Sequence, residues 1–110
     1  MFVDDSALSR LIDNKTRLTK KFGTEGAKKL ARCITSLNTA KTLAEYLPPK
    51  SGAYRCHQLH GNRTCQFAMD FTSKNRLIFE PIFDGSEDLT NGIDWHDIKR
   101  IRLLELVDYH

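Results

Sequence analysis

Cys65-Gln66-Phe67-Ala68-Met69-Asp70-Phe71 alternates strictly, Cys65, Phe67, Met69 and Phe71 against Gln66, Ala68 and Asp70. A strand turns successive side chains to opposite faces, so this stretch predicts a half-buried β-strand within residues 63–71. Residues 54–59 and 76–83 read as strands on either side of it, with Gly61-Asn62 and residues 72–75 supplying the turns. Three such strands make an antiparallel meander. Phe67, Met69, Phe71, Ile78, Phe79 and Phe83 are assigned to its core, with Cys56 and Cys65 facing the helices as small hydrophobes.

Working outward, residues 84–97 hold five acids, two glycines and no Lys or Arg, which predicts a long surface loop anchored by Trp95. Residues 98–107 are too apolar for a tail. Ile101-Arg102-Leu103-Leu104-Glu105-Leu106-Val107 fits helix or strand, and its β-branched residues favour a last strand.

Upstream of the meander the period changes from 2 to 3.6. Leu8, Leu11, Ile12, Leu18 and Phe22 recur at helical spacing behind the capping oxygens of Asp4, Asp5 and Ser6, and Gly23 is a natural stop. This predicts a helix over residues 6–22. Thr24 can cap a second, whose apolar positions Ala27, Leu30, Ile34, Leu37, Ala40, Ala44 and Leu47 run until Pro48-Pro49. Phe2-Val3 reads as a short edge strand. The expected architecture is α+β, in the order β-α-α-β-β-β-β. An antiparallel helical hairpin (about residues 6–47) packs on a twisted, mainly antiparallel sheet of four to five strands (about residues 54–110).

With 110 residues, 40% of them hydrophobic, the chain has room for one core, which excludes a two-domain arrangement. No apolar run reaches the roughly 20 residues of a membrane span, and Met1-Phe2-Val3-Asp4-Asp5 lacks the look of a signal peptide. Cys33, Cys56 and Cys65 match no disulfide framework and are expected as reduced thiols in the cytoplasm. Cys56, His57, His60 and Cys65 lie close in sequence but lack the paired spacing of a zinc knuckle, and alternation sends Cys56 and His57 to opposite faces. No metal or other cofactor is expected.

The net charge of +3 is unevenly spread: residues 1–55 carry eleven basic and five acidic groups, residues 56–110 six and nine. Lys15, Arg17, Lys20, Lys21, Lys28, Lys29 and Arg32 face Glu25 alone within residues 15–32, a patch able to attract a polyanion or simply to solvate a helix face. Groups able to do chemistry gather in His57-Gln58-Leu59-His60-Gly61-Asn62-Arg63, at Arg76, and in Asp108-Tyr109-His110. They include no serine or cysteine paired to a base, so the inventory suits a substrate that brings its own nucleophile. RNA is such a substrate. Its 2′-hydroxyl attacks the neighbouring phosphate, imidazoles can move the protons, and Arg76 can hold the phosphate oxygens. The face on which Arg76 lies depends on the loop before it: a two-residue loop pairs it with Phe71, an odd loop turns it over.

The helical hairpin, Tyr54-Arg55-Cys56-His57-Gln58-Leu59-His60-Gly61-Asn62-Arg63, Gln66-Phe67-Ala68-Met69-Asp70-Phe71, Arg76-Leu77-Ile78-Phe79-Glu80-Pro81-Ile82 and the ending Val107-Asp108-Tyr109-His110 together resemble toxins of the RelE/ParE superfamily. More narrowly they resemble the HigB-like branch, the plasmid-maintenance killer proteins. The resemblance implies a ribosome-dependent, metal-independent messenger-RNA endonuclease held inactive by a helix-turn-helix (HigA-like) antitoxin, meeting operator DNA only through that complex. It implies catalytic places for His57, Arg76, Asp108, Tyr109 and His110. His60 stands where lysine is common in the family, with Arg63 as a compensating cation. Lys15, Arg17, Lys20, Lys21, Lys28, Lys29, Arg32 and Arg63 would meet ribosome and message. The acidic loop over residues 84–97 is longer than the turn usual in that branch. Two other functions share the frame: a ParE-like inhibitor of DNA gyrase, and a non-catalytic member acting with its antitoxin in transcriptional control.

Overall fold

The computed structural model describes residues 1–63 and 65–108. The chain runs β1 (Phe2–Asp4), α1 (Ser9–Ile12), α2 (Lys15–Thr39), β2 (His57–Gln58), β3 (Phe67–Asp70), β4 (Asn75–Pro81) and β5 (Arg100–Asp108), with 3₁₀ turns at Leu43–Tyr46, Gly61–Arg63 and Trp95–Asp97. The strands form one sheet in the order β1-β5-β4-β3-β2. β1 lies parallel to β5, and every other pairing is antiparallel. The α+β architecture, the meander and the final strand are as expected. β5 lies inside the sheet, where it is paired on both sides.

The helical segments end earlier than the apolar spacing predicts. The first is interrupted at Asn14, whose extended backbone lets its side chain accept a hydrogen bond from the Arg17 N–H and start α2 afresh. Asp4, by contrast, spends its carboxylate on the Ser6 N–H and hydroxyl, and α1 has no side-chain cap. At Gly23 φ is +76°, a conformation that glycine adopts without a Cβ penalty, and α2 breaks there into two arms. The break brings Phe22 so close to Gly26 that a Cβ on Gly26 would stand 2.8 Å from that of Phe22. The second arm stops at Thr39 rather than near Leu47. Leu43 is fully buried and its N–H bonds to the Ile98 carbonyl, and this tertiary contact outweighs continued helical spacing.

The core lies between the helices and one face of the sheet. Leu30, Cys33 and Leu37 from α2 meet Phe67, Met69, Leu77, Phe79, Ile101 and Leu103. Trp95 anchors the acidic loop as expected, set edge-on to Phe67 at 5.2 Å, while Phe67 stacks on Phe79 at 5.8 Å. Burial pushes the Cys33 thiol up to about 12 and raises that of Cys56 as well. Two assignments change: Cys65 is exposed beside the Gly61–Arg63 turn, and Phe83 is only partly buried. Ile78 is buried as expected, on the face of the sheet opposite to that of Phe67 and Phe79. Among the described residues no helix is long and apolar enough to cross a membrane.

Candidate functional site

The face of the sheet turned away from the helices is set by register. His57, Ala68, Ile78 and Glu105 pair across β2, β3, β4 and β5 in one row, and Asp70, Arg76 and Val107 form the next. Phe71 closes the β3–β4 turn by donating its N–H to the Asn75 carbonyl, which leaves three residues between them. The odd loop puts Arg76 opposite Asp70, on the face of His57 and away from Phe71's. Two strands and two residues separate His57 from Arg76, about 12 Å between Cα atoms.

Each of these groups is held. The Arg76 Nε lies 3.1 Å from the Asp70 Oδ1, and the Arg55 Nε lies 3.7 Å from the other oxygen. Asp70 has 12% of its side chain exposed and Arg76 26%, so the carboxylate is withdrawn from water between two guanidinium groups. His57 is 8% exposed, and its Nδ1 lies 2.7 Å from the Arg55 carbonyl. A carbonyl can only accept, so Nδ1 carries a proton and the lone pair of the neutral ring falls on Nε2. Arg55 has φ +50°, a left-handed conformation rare outside glycine, which ends the strand expected over residues 54–59 and leaves only His57–Gln58.

Other expected site residues are scattered. His60 is exposed ahead of the Gly61–Arg63 turn. That turn delays β3 to Phe67 and sends Arg63 across the sheet to Glu105 at 2.5 Å, with Gln66 at 3.1 Å. Asp108 ends β5 opposite Asn75, in the register of Leu77 and Leu106, and so on the face opposite to that of Arg76. Tyr109 and His110 lie outside the described residues. Lys15, Arg17, Lys20 and Lys21 stand exposed on the first arm of α2, and Lys28, Lys29 and Arg32 on the second, so Gly23 divides the basic patch. Lys21 lies over the Phe22 ring at 5.5 Å, and Lys28 pairs loosely with Glu25 at 3.8 Å. Among the described residues no three His, Cys, Asp or Glu gather as a metal site; Cys56 lies in the helix-side core and His57 on the other face.

Sequence reasoning assigned no role to Arg55 or Glu105. Arg55 sits two residues before His57, but its left-handed backbone is not written in any local pattern. Alternation put Asp70 on the face of Gln66 and Ala68, and the structure joins both Arg76 and Arg55 to its carboxylate.

No protein-family model and no curated protein matches the chain by sequence. Its solved structural neighbours include a YoeB/ParE toxin from Agrobacterium tumefaciens, with a TM-score of 0.55 and 13% identity over 100% of both chains. A YoeB dimer from Staphylococcus aureus superposes with a TM-score of 0.51 and 13% identity, covering 100% of this chain and 97% of that one. A YoeB–YefM complex from the same organism gives 0.50 and 13% identity over 99% and 93%. At that identity the likeness speaks for the fold and does not distinguish a HigB-like branch: this chain folds as the YoeB/ParE-type toxins do.

Proposed function

We propose that the chain is the toxin of a type II toxin–antitoxin pair and acts as a metal-independent endoribonuclease on translated message in the cytoplasm. The fold shared with YoeB/ParE-type toxins supports the toxin reading. A neighbour described as a YoeB–YefM complex supports a cognate antitoxin, for which the sequence resemblance suggests a helix-turn-helix protein. The observation that carries the nuclease reading is that His57 and Arg76 share the helix-free face, each held by a hydrogen bond, with Arg55 beside them.

In this reading the 2′-hydroxyl attacks the adjacent phosphorus, His57 removes its proton through Nε2, and Arg76 neutralises charge as the phosphorane forms. The departing 5′-oxygen takes a proton from a second acid, the place that the HigB-like resemblance gives to His110 or Tyr109. Bond making at phosphorus is balanced by loss of the 5′-oxygen, leaving a cyclic phosphate. Ribosomal RNA and the message itself are the partners for the exposed cations of α2.

His57 is buried, so its proton-transfer role must be separated from its hold on Arg55. His57→Asn makes the separation, because an Asn amide can still donate to the Arg55 carbonyl but cannot take up a proton. In a translation extract with message-end mapping, His57→Asn is expected to lose about 10²–10⁴-fold of cleavage with folding unchanged. Full cleavage by this variant would reduce His57 to a positioning residue. Gyrase inhibition without message cleavage by the unaltered protein would replace the nuclease reading altogether.

A further inference from the structure

Beside the helix-free face, at the edge of the sheet, the second arm of α2, residues 53–55 and the turn after β3 enclose a cleft of about 420 Å³. Among the described residues Lys29, Arg32 and Arg55 line it, with Tyr54, Ser73 and a single carboxylate, that of Asp70. Three cations therefore face one acid, and that acid is already shared with Arg76 on the adjoining face. Glu25, the nearest acid on the helix, is turned to Lys28. Burial raises the Tyr54 phenol above its usual range, with Cys33 adding to the shift and Arg32 opposing it, so its hydroxyl remains a donor.

The cleft is also tied to the nuclease face through Arg55. Arg55 lines the cleft, its Nε lies beside Asp70, its carbonyl accepts from His57, and Asp70 in turn holds Arg76. A surplus of positive charge in a recess of this size, continuous with a residue that binds phosphate in the proposed mechanism, suits a repeating chain of single negative charges better than an isolated anion.

We infer that the cleft is a second phosphodiester subsite, in which Lys29, Arg32 and Arg55 hold a phosphate flanking the one at Arg76 as a single RNA strand crosses the edge of the sheet. The inference rests on the reading of RNA as substrate.

The test is fluorescence anisotropy of a short, fully 2′-O-methylated RNA, which cannot supply the attacking hydroxyl, titrated with the whole chain between about 50 and 200 mM salt. Lys29→Ala combined with Arg32→Ala is expected to weaken binding about tenfold and to flatten the dependence of log K on log salt by about 0.7 for each phosphate left without its cation. Both positions are exposed on a helix, where alanine is well tolerated. Arg10→Ala combined with Lys41→Ala removes the same charge elsewhere on the surface and is expected to change binding by less than about twofold.

Equal weakening by both double variants, or none by the first, would overturn the subsite. So would displacement of the RNA by inorganic phosphate at matched phosphate concentration, since the cleft would then read a lone anion and no strand. The two readings fail separately. Message cleavage on the ribosome with undiminished binding by the Lys29/Arg32 variant removes the subsite alone. Cleft-dependent RNA binding by a chain that never cleaves message removes the nuclease alone.

Discussion

The two faces of the sheet are built from the same strands and are buried to similar depth at their centres, yet they differ in kind. On the helix side Phe67, Met69, Leu77, Phe79 and Leu103 are withdrawn from water by apolar neighbours. On the other side His57, Ala68 and Ile78 are also buried, but their surroundings are Arg55, Asp70, Arg76, Arg63 and Glu105. A strand face that merely meets solvent carries independent, exposed charges. Here Asp70 is drawn in between two guanidinium groups and Glu105 takes up Arg63. Withdrawing a carboxylate from water is costly unless it is paired, so the pairing is what allows charge and burial to coexist beside Ala68 and Ile78. One face is organised to hold the molecule together, the other to hold charged groups in place.

That contrast can be broken at three points. Phe67→Ala removes a ring that touches both Phe79 and Trp95. It is expected to cost about 3–5 kcal/mol in urea denaturation, and a loss below about 1 kcal/mol would mean that the helix face is not the main source of stability. Asp70→Asn acts on the other face. It leaves Arg55 and Arg76 facing each other without their shared negative charge, with an expected cost of about 1–3 kcal/mol. The same change should tighten binding of non-cleavable RNA while slowing message cleavage, because the cations gain field but lose their fixed position. Unchanged stability and unchanged binding together would show that Asp70 organises nothing. The smallest effect belongs to Arg63→Ala. Its pair with Glu105 is about half exposed on both sides, so less than about 1 kcal/mol is expected in the same denaturation assay, and less still at high salt.

How much of this was legible in advance differs from element to element. Alternation of Phe67 and Met69 against Ala68 and Asp70 was sufficient to divide the faces, because a strand's geometry leaves no other outcome. Trp95 could be named as an anchor because a large aromatic in an acidic loop has few other places to go. Helix ends were less readable. Apolar residues at 40, 44 and 47 suit a continued helix, and only the burial of Leu43 with its bond to Ile98 shows why the chain turns. Within the candidate site, His57 and Arg76 were legible as residue types with the right chemistry. Asp108 was grouped with them in sequence, but its register lies with Leu77 and Leu106.

From residue order alone came the change of period from helix to strand, the division of each strand into two faces, the uneven charge and the inventory of imidazole and guanidinium groups, all of which depend on neighbours a few positions apart. The folded chain added the odd loop that turns Arg76 toward Asp70, the left-handed Arg55 pinned by His57, and the meeting of Lys29 and Arg32 with the edge of the sheet. These depend on contacts between segments far apart in the chain. Their free energies outweigh local preferences of a few tenths of a kcal/mol per residue, and no local pattern carries them.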